Sequence, residues 1–165
     1  MSWREITSMA TARFYTATPI RSGESAAKLS LVPANADAPK GSTGSGDGKD
    51  ALRDDLVARL QAGPIVYRLR AQLFVDEATT PIEDASVVWP EEKSPFVELG
   101  TVRLKQQDVL SPPGQNVEEL VERLSFDPWH AVAELRPIGA MMRARSHAYR
   151  ESVIERKAAD EPERL

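Results

Sequence analysis

Arginine 145 and tyrosine 149 stand four positions apart near the C-terminus, in the run RARSHAY. In a helix that spacing brings both side chains to one face. A guanidinium one turn from a phenol favours the phenolate over the phenol. A phenolate is a hard, anionic oxygen of the kind that binds ferric iron, so the pair could hold such a metal. Taken alone the pattern is loose, and a surface arginine beside a half-buried tyrosine is its ordinary reading.

Other residues narrow the chemistry. His130 and His147 are the 2 histidines and there is no cysteine, which excludes a multi-histidine metal site, a zinc cluster, an iron–sulfur site, a disulfide framework and a thiol nucleophile. His130 reads as a hydrogen-bonded loop residue, since no serine nucleophile motif accompanies it. Glu83 and Asp84 are adjacent and point apart in an extended segment, so paired-carboxylate chemistry is unsupported. Met141 and Met142 read as gap-filling core, and Trp89 and Trp129, each beside a proline, as loop anchors. Arg143 and Arg145 offer guanidinium forks suited to carboxylates, against the plainer reading of a solvated helix face. Gly44, Gly46 and Gly48 lack the strand and lysine of a phosphate loop and read as a flexible connection.

These residues must be positioned by a modest number of elements. The 165 residues, 41% apolar, suffice for one domain with a core. The net charge of −4 is dispersed, so nucleic acid is not an expected partner. The N-terminus, MSWREITSMATARF, shows no apolar signal, and no stretch is long enough for a spanning helix, which leads to the expectation of a soluble, cytoplasmic protein without membrane attachment. Residues 1–13 form a lead segment with a possible short helix. A turn at Arg21-Ser22-Gly23-Glu24 precedes an alternating strand ending at Pro33. Residues 34–49 form the Gly/Ser-rich loop. Asp50 caps a helix over 51–61 with the stripe Leu52, Leu56, Val57, Leu60 and a solvated charged face. A strand over 65–75 places Ile65, Tyr67, Leu69, Ala71, Leu73 and Val75 on one face, with Arg68, Arg70 and Gln72 toward solvent or a polar lumen. A brief extended segment covers 85–89. The next strand covers 96–105, with Gly100 as a bulge or close-approach point. Residues 106–115 form a loop, and Asn116 begins an amphipathic helix striped by Val117, Leu120, Val121 and Leu124. A final helix over 142–156 follows an irregular segment, and 157–165 is a charged tail. Strands in runs without helical crossovers imply an antiparallel sheet, and so few of them leave edges to be covered.

Longer stretches carry a resemblance. PIEDASVVWPEEKSPFVELGTVRLKQQDV is similar to the catalase stretch in which an acidic turn leads through V-W-P and a proline-bearing turn to a strand. VEELVERLSFDPWHAVAELRPIGAMMRARSHAY resembles the catalase run of acidic helix, F-x-P step, irregular crossover and R-x-x-x-Y helix. LSFDPWH and RPIGAMMRARSHAY resemble more closely the short catalase-like haem proteins with F-N-P-W-H, R-P-L-G and N-R-A-R segments, a subgroup that FYTATPIRSG and VYRLRAQL also fit. The likeness covers 14–156. It implies an α+β fold, a partial antiparallel β-barrel with flanking helices and a C-terminal haem-ligand helix. It implies haem b (iron protoporphyrin IX) with Tyr149 as the proximal ligand, as tyrosine is in catalases, Arg145 as its partner, Arg143 and His147 as further haem contacts, and Trp129-His130 near the haem edge. The implied substrate is hydrogen peroxide or an organic peroxide. Two departures stand out: Met142 replaces a common amide, and the family's distal histidine and asparagine lie in an N-terminal half that this chain does not match, neither His130 nor His147 fitting that motif. The expectation is therefore the C-terminal half of a catalase-like domain, truncated or split, with little turnover alone and with a companion half-domain or self-association. The alternatives are a non-enzymatic remnant or interaction module without haem, and hydroperoxide rearrangement.

Overall fold

The computed structural model describes residues 6–35 and 48–158. Most of the expected 34–49 loop and nearly all of the 157–165 tail lie outside the described residues, as do the first five positions of the lead segment. Among the described residues the elements are β1 (Phe14–Tyr15), β2 (Ile20–Ser22), β3 (Ser25–Pro33), α1 (Ala51–Ala62), β4 (Ile65–Leu73), β5 (Phe96–Leu104), α2 (Pro112–Glu122) and α3 (Ala140–Glu155), with 3-10 turns at Met9–Thr11 and Ala133–Leu135. The five strands form one open antiparallel sheet in the order β1-β3-β4-β5, with β2 also paired to β3. No helix among the described residues is long and apolar enough to cross a membrane.

Two units share the chain. The first comprises Met1–Phe14, Ser30–Arg70 and Glu98–Val117; the second comprises Tyr15–Leu29, Ala71–Val97 and Glu118–Leu165. In the first, Ala10, Leu60, Ile65 and Tyr67 form a buried cluster edged by Phe14, Leu31 and Leu56. Tyr67 meets Phe14 edge to face at 6.0 Å and donates its hydroxyl proton to the Met9 carbonyl at 2.7 Å. Burial pushes the Tyr67 phenol above its ordinary range. The α1 face expected to be solvated holds Asp55, which is fully buried. It accepts from Ser8 Oγ at 2.5 Å and from Arg59 Nε at 3.0 Å, the partners that make a buried carboxylate tolerable. Asp50 precedes α1 without a side-chain capping bond.

The expected loop over 106–115 is shorter, because α2 begins at Pro112. Proline has no N–H to donate, and the first turn of a helix needs none. Gly114 is required there, since a Cβ would lie 2.5 Å from the Asp108 carbonyl oxygen. The α2 stripe is not buried: Val117, Leu120 and Val121 are all exposed. Gly100 is no close-approach point, as nothing lies within 4 Å of where its Cβ would stand.

In the second unit, β2 and β3 form a hairpin with Ile20 opposite Ala27 and Ser22 opposite Ser25, closed by Gly23 at φ +62°. That is the expected turn, and glycine takes the left-handed backbone without penalty. β3 is buried on both faces rather than alternating, with the successive residues Ala26 and Ala27 both buried. The expected extended segment over 85–89 is a turn instead, held by Asp84 Oδ1, which accepts from the Ser86 N–H at 2.9 Å and the Ser86 hydroxyl at 2.6 Å. Gln72 does not face solvent: it is buried and donates to the carbonyls of Trp89 at 3.0 Å and Ser94 at 2.8 Å. Trp89 is buried, donates Nε1–H to the Pro81 carbonyl at 3.1 Å and packs on Phe74. The Lys28 ammonium lies 4.8 Å from the Trp89 ring centre, and burial lowers its proton affinity.

Candidate functional site

The last helix carries the residues singled out above, and its start is fixed from several sides. Its first turns read Ala140, Met141, Met142, Arg143, Ala144, Arg145, all favourable helix formers. Before them, Gly139 has φ +89°, and a Cβ there would sit 2.7 Å from the Ile82 carbonyl oxygen. Upstream, the segment leading into α3 is tied to the outer edge of β2: the Arg21 N–H donates to the Arg136 carbonyl at 2.9 Å, the Gly23 N–H to the Glu134 carbonyl at 3.2 Å, and Ile20 bridges Pro137.

Glu83 completes the anchor. Arg143 donates Nη1 to Glu83 Oε1 at 3.1 Å and Nη2 to Oε2 at 2.7 Å, a fork-to-fork pair. Those bonds, together with one from the Ala140 backbone N–H, hold the Glu83 carboxyl below the usual carboxylate range. A carboxylate at a helix N-terminus is also favoured by the exposed N–H groups and the helix dipole. In the sequence Glu83 is weighed only beside Asp84, as an unsupported carboxylate pair. The available signal was an acidic residue in a turn and a basic one in a helix sixty positions later, and a single sequence gives no reason to join them.

One turn further on, Arg145 Nη2 donates to the Tyr149 hydroxyl oxygen at 3.0 Å, and the guanidinium carbon stands 5.3 Å from the Tyr149 ring centre. Arg145 also directs Nη1 toward Met142 Sδ at 4.0 Å, and Met142 is buried. The expected pair is therefore brought together. Arg143 and His147 are not brought to it, because two positions along a helix turn a side chain by about 200° to the opposite face. Both are exposed on that face.

Trp129 reaches the site from the loop after α2. Its ring meets Tyr149 at 6.0 Å with an interplanar angle of 70°, edge to face. The loop is shaped by Asp127, whose Oδ1 accepts from the Trp129 N–H at 2.9 Å and whose carbonyl accepts from the His130 N–H at 3.0 Å. His130 itself is exposed. Arg156, at the end of α3, donates Nη2 to the Ser125 carbonyl at 3.3 Å.

Compared with solved structures, the chain has the fold of part of a catalase. A fungal catalase matches with a TM-score of 0.71 and 19% identity over 93% of this chain and 32% of that one. Catalase A from Saccharomyces cerevisiae matches at 0.70 with 15% identity over 92% and 33%, and a bacterial catalase at 0.68 with 15% identity over 92% and 31%. In sequence, the chain is 33% identical over 98 aligned positions to the allene oxide synthase-lipoxygenase protein of Plexaura homomalla, covering 53% of this chain and 9% of that protein. No family model matches. The chain thus spans about a third of the length of the catalases it matches, and its sheet is open, a partial barrel of the kind the resemblance implied.

Proposed function

We propose that this chain is the iron-holding part of a haem-binding, catalase-related protein that acts on hydrogen peroxide or an organic peroxide. The observation that carries the reading is the Tyr149 hydroxyl oxygen accepting from Arg145 at 3.0 Å on α3, in a chain with a catalase-like fold. The donor set suits haem b. Tyr149, half-buried and accepting from Arg145, would hold the iron through its phenol oxygen. When bound, the haem supplies the redox-active iron at which the peroxide bond is broken. Arg145 would orient the Tyr149 oxygen toward the iron through its hydrogen bond, and Trp129 shields the ring on its flank. Arg143 and His147, on the opposite face, are secondary candidates for the haem carboxylates, and Arg143 would have to leave Glu83 to serve.

Moving a proton between peroxide oxygens needs a base within hydrogen-bond reach. His130 and His147 are both exposed, and the chain alone is expected to turn over little peroxide. A companion half-domain supplying that base in the cytoplasm is the proposed partner, supported by the open sheet and by the exposed apolar residues of β5, Val97 and Leu99. After reconstitution with haem, a five-coordinate ferric tyrosinate spectrum should appear, and Tyr149→Phe should abolish it. Identical spectra for the two proteins overturn the ligand assignment. The likeness to the Plexaura homomalla protein carries a second reading, rearrangement of an organic hydroperoxide at the same site. Product analysis separates the two: an epoxide rather than an alcohol or dioxygen favours rearrangement.

A further inference from the structure

Tyr149 is gripped from two directions. On one flank Arg145 stands over the ring at 5.3 Å and donates to the hydroxyl oxygen. On another flank Trp129 presents its ring edge to face at 6.0 Å. The arginine belongs to the same helix and moves with it. The tryptophan comes from a different segment, so it is the contact that fixes the ring against something other than its own backbone.

That segment is built to hold its position. Phe126 takes the left-handed backbone at φ +52°, a conformation a bulky side chain adopts only at a cost. Pro128 fixes its own φ, and Asp127 closes an Asx turn on the Trp129 N–H at 2.9 Å. The start of the segment is tied to the far end of α3, where Arg156 donates to the Ser125 carbonyl at 3.3 Å. Segment 125–130 therefore runs beside α3 with attachments at Arg156 and at Tyr149. A loop whose only purpose was to join α2 to α3 would need neither the strained Phe126 nor the second attachment.

We propose that Trp129 is a positioning residue that locks the Tyr149 ring in the rotamer presenting its hydroxyl oxygen to Arg145. The inference rests on the reading of Tyr149 as an iron ligand for its purpose, but not for its test. Without the indole edge the ring rocks about its χ angles, the Arg145 bond opens part of the time, and an incoming metal must order the ring before binding it.

The chain has 3 tyrosines, Tyr15, Tyr67 and Tyr149, so ring-labelled tyrosine spectra are simple and Tyr149→Phe assigns the third ring system. In the haem-free full chain, Trp129→Ala is expected to raise the fraction of Tyr149 outside its native rotamer by about two- to thirteenfold, the range that edge-to-face aromatic contacts provide. Trp129→Phe should restore the native value, and Asp127→Ala, which removes the turn but keeps the indole, should fall between. An unchanged Tyr149 rotamer in Trp129→Ala overturns the proposal, including the case in which that variant merely melts earlier. Haem titration is the second arm: Trp129→Ala should weaken binding by a similar factor and Trp129→Phe should not. If wild-type protein gives no tyrosinate spectrum, the haem reading fails while the rotamer measurement still decides the part played by Trp129.

Discussion

At the scale of single residues, two carboxylates do structural work that composition disguises. Asp55 lies beside another aspartate in a charged helix and reads as solvated, yet it is fully buried between Ser8 and Arg59. Removing one side of a buried ion pair costs about 3 kcal/mol or more. Asp55→Ala should therefore lower the unfolding free energy measured in urea by an amount of that order, and Ser8→Ala by less, about 2 kcal/mol, as one hydrogen bond to a charge is lost. Glu83 makes a pH-dependent contribution. Its folded carboxyl titrates below its ordinary value because Arg143 and the Ala140 N–H favour the anion, so its stabilisation is present above the unfolded value, about pH 4.5. It is lost as pH falls below that point through the lower folded value. Stability measured from about pH 7 to about pH 3 should show wild type ahead of Glu83→Gln at the neutral end and the two converging at the acid end.

At the scale of elements, what was legible depended on whether the pattern was local. The Gly23 turn, the strand from Ile65, the strand from Phe96 and the last helix were readable because turn chemistry, alternation and helix formers are written in consecutive residues. The start of α2 was misplaced because Pro112 and Pro113 look like a loop, although a first helical turn accepts them. The 85–89 turn was misread as extended because its organiser, Asp84, acts through a side chain. Within the site, the Arg145–Tyr149 pair was visible from helical spacing alone. The Glu83–Arg143 pair and the Trp129–Tyr149 contact were not, since both join segments that only tertiary packing brings together. The tight start of α2 gives a test: Gly114→Ala places a Cβ 2.5 Å from backbone, and the expected loss is about 1–3 kcal/mol by thermal or urea unfolding. Gly23→Ala, with nothing near its Cβ, should lose less, about 1 kcal/mol, from its positive φ alone.

At the scale of the whole molecule, apolar surface remains uncovered. β5 ends the sheet path with Val97 at 48% and Leu99 at 58% exposure, and Val117 on α2 is 56% exposed. An unpaired strand edge with apolar side chains invites pairing with another chain. Sedimentation of the isolated chain should show concentration-dependent self-association, and Leu99→Lys should reduce it while changing unfolding stability by no more than about 0.5 kcal/mol. A catalase-like half-domain added in trans should compete with that association if it is the partner proposed above. Unchanged sedimentation on mixing counts against it.

The attachment of α3 to the turn at 82–84 has an evolutionary corollary. Gly139 lies against the Ile82 carbonyl, Ala140 donates to Glu83, and Arg143 forks onto the same carboxylate. Backbone, helix end and side chain are thus stitched to one short stretch, so the tilt of the phenol-bearing helix is inherited from residues sixty positions earlier. Lineages that exchange the acid at 83 should exchange the base at 143 in step, and a charge-reversed double variant, Glu83→Arg with Arg143→Glu, should recover part of what either reversal loses.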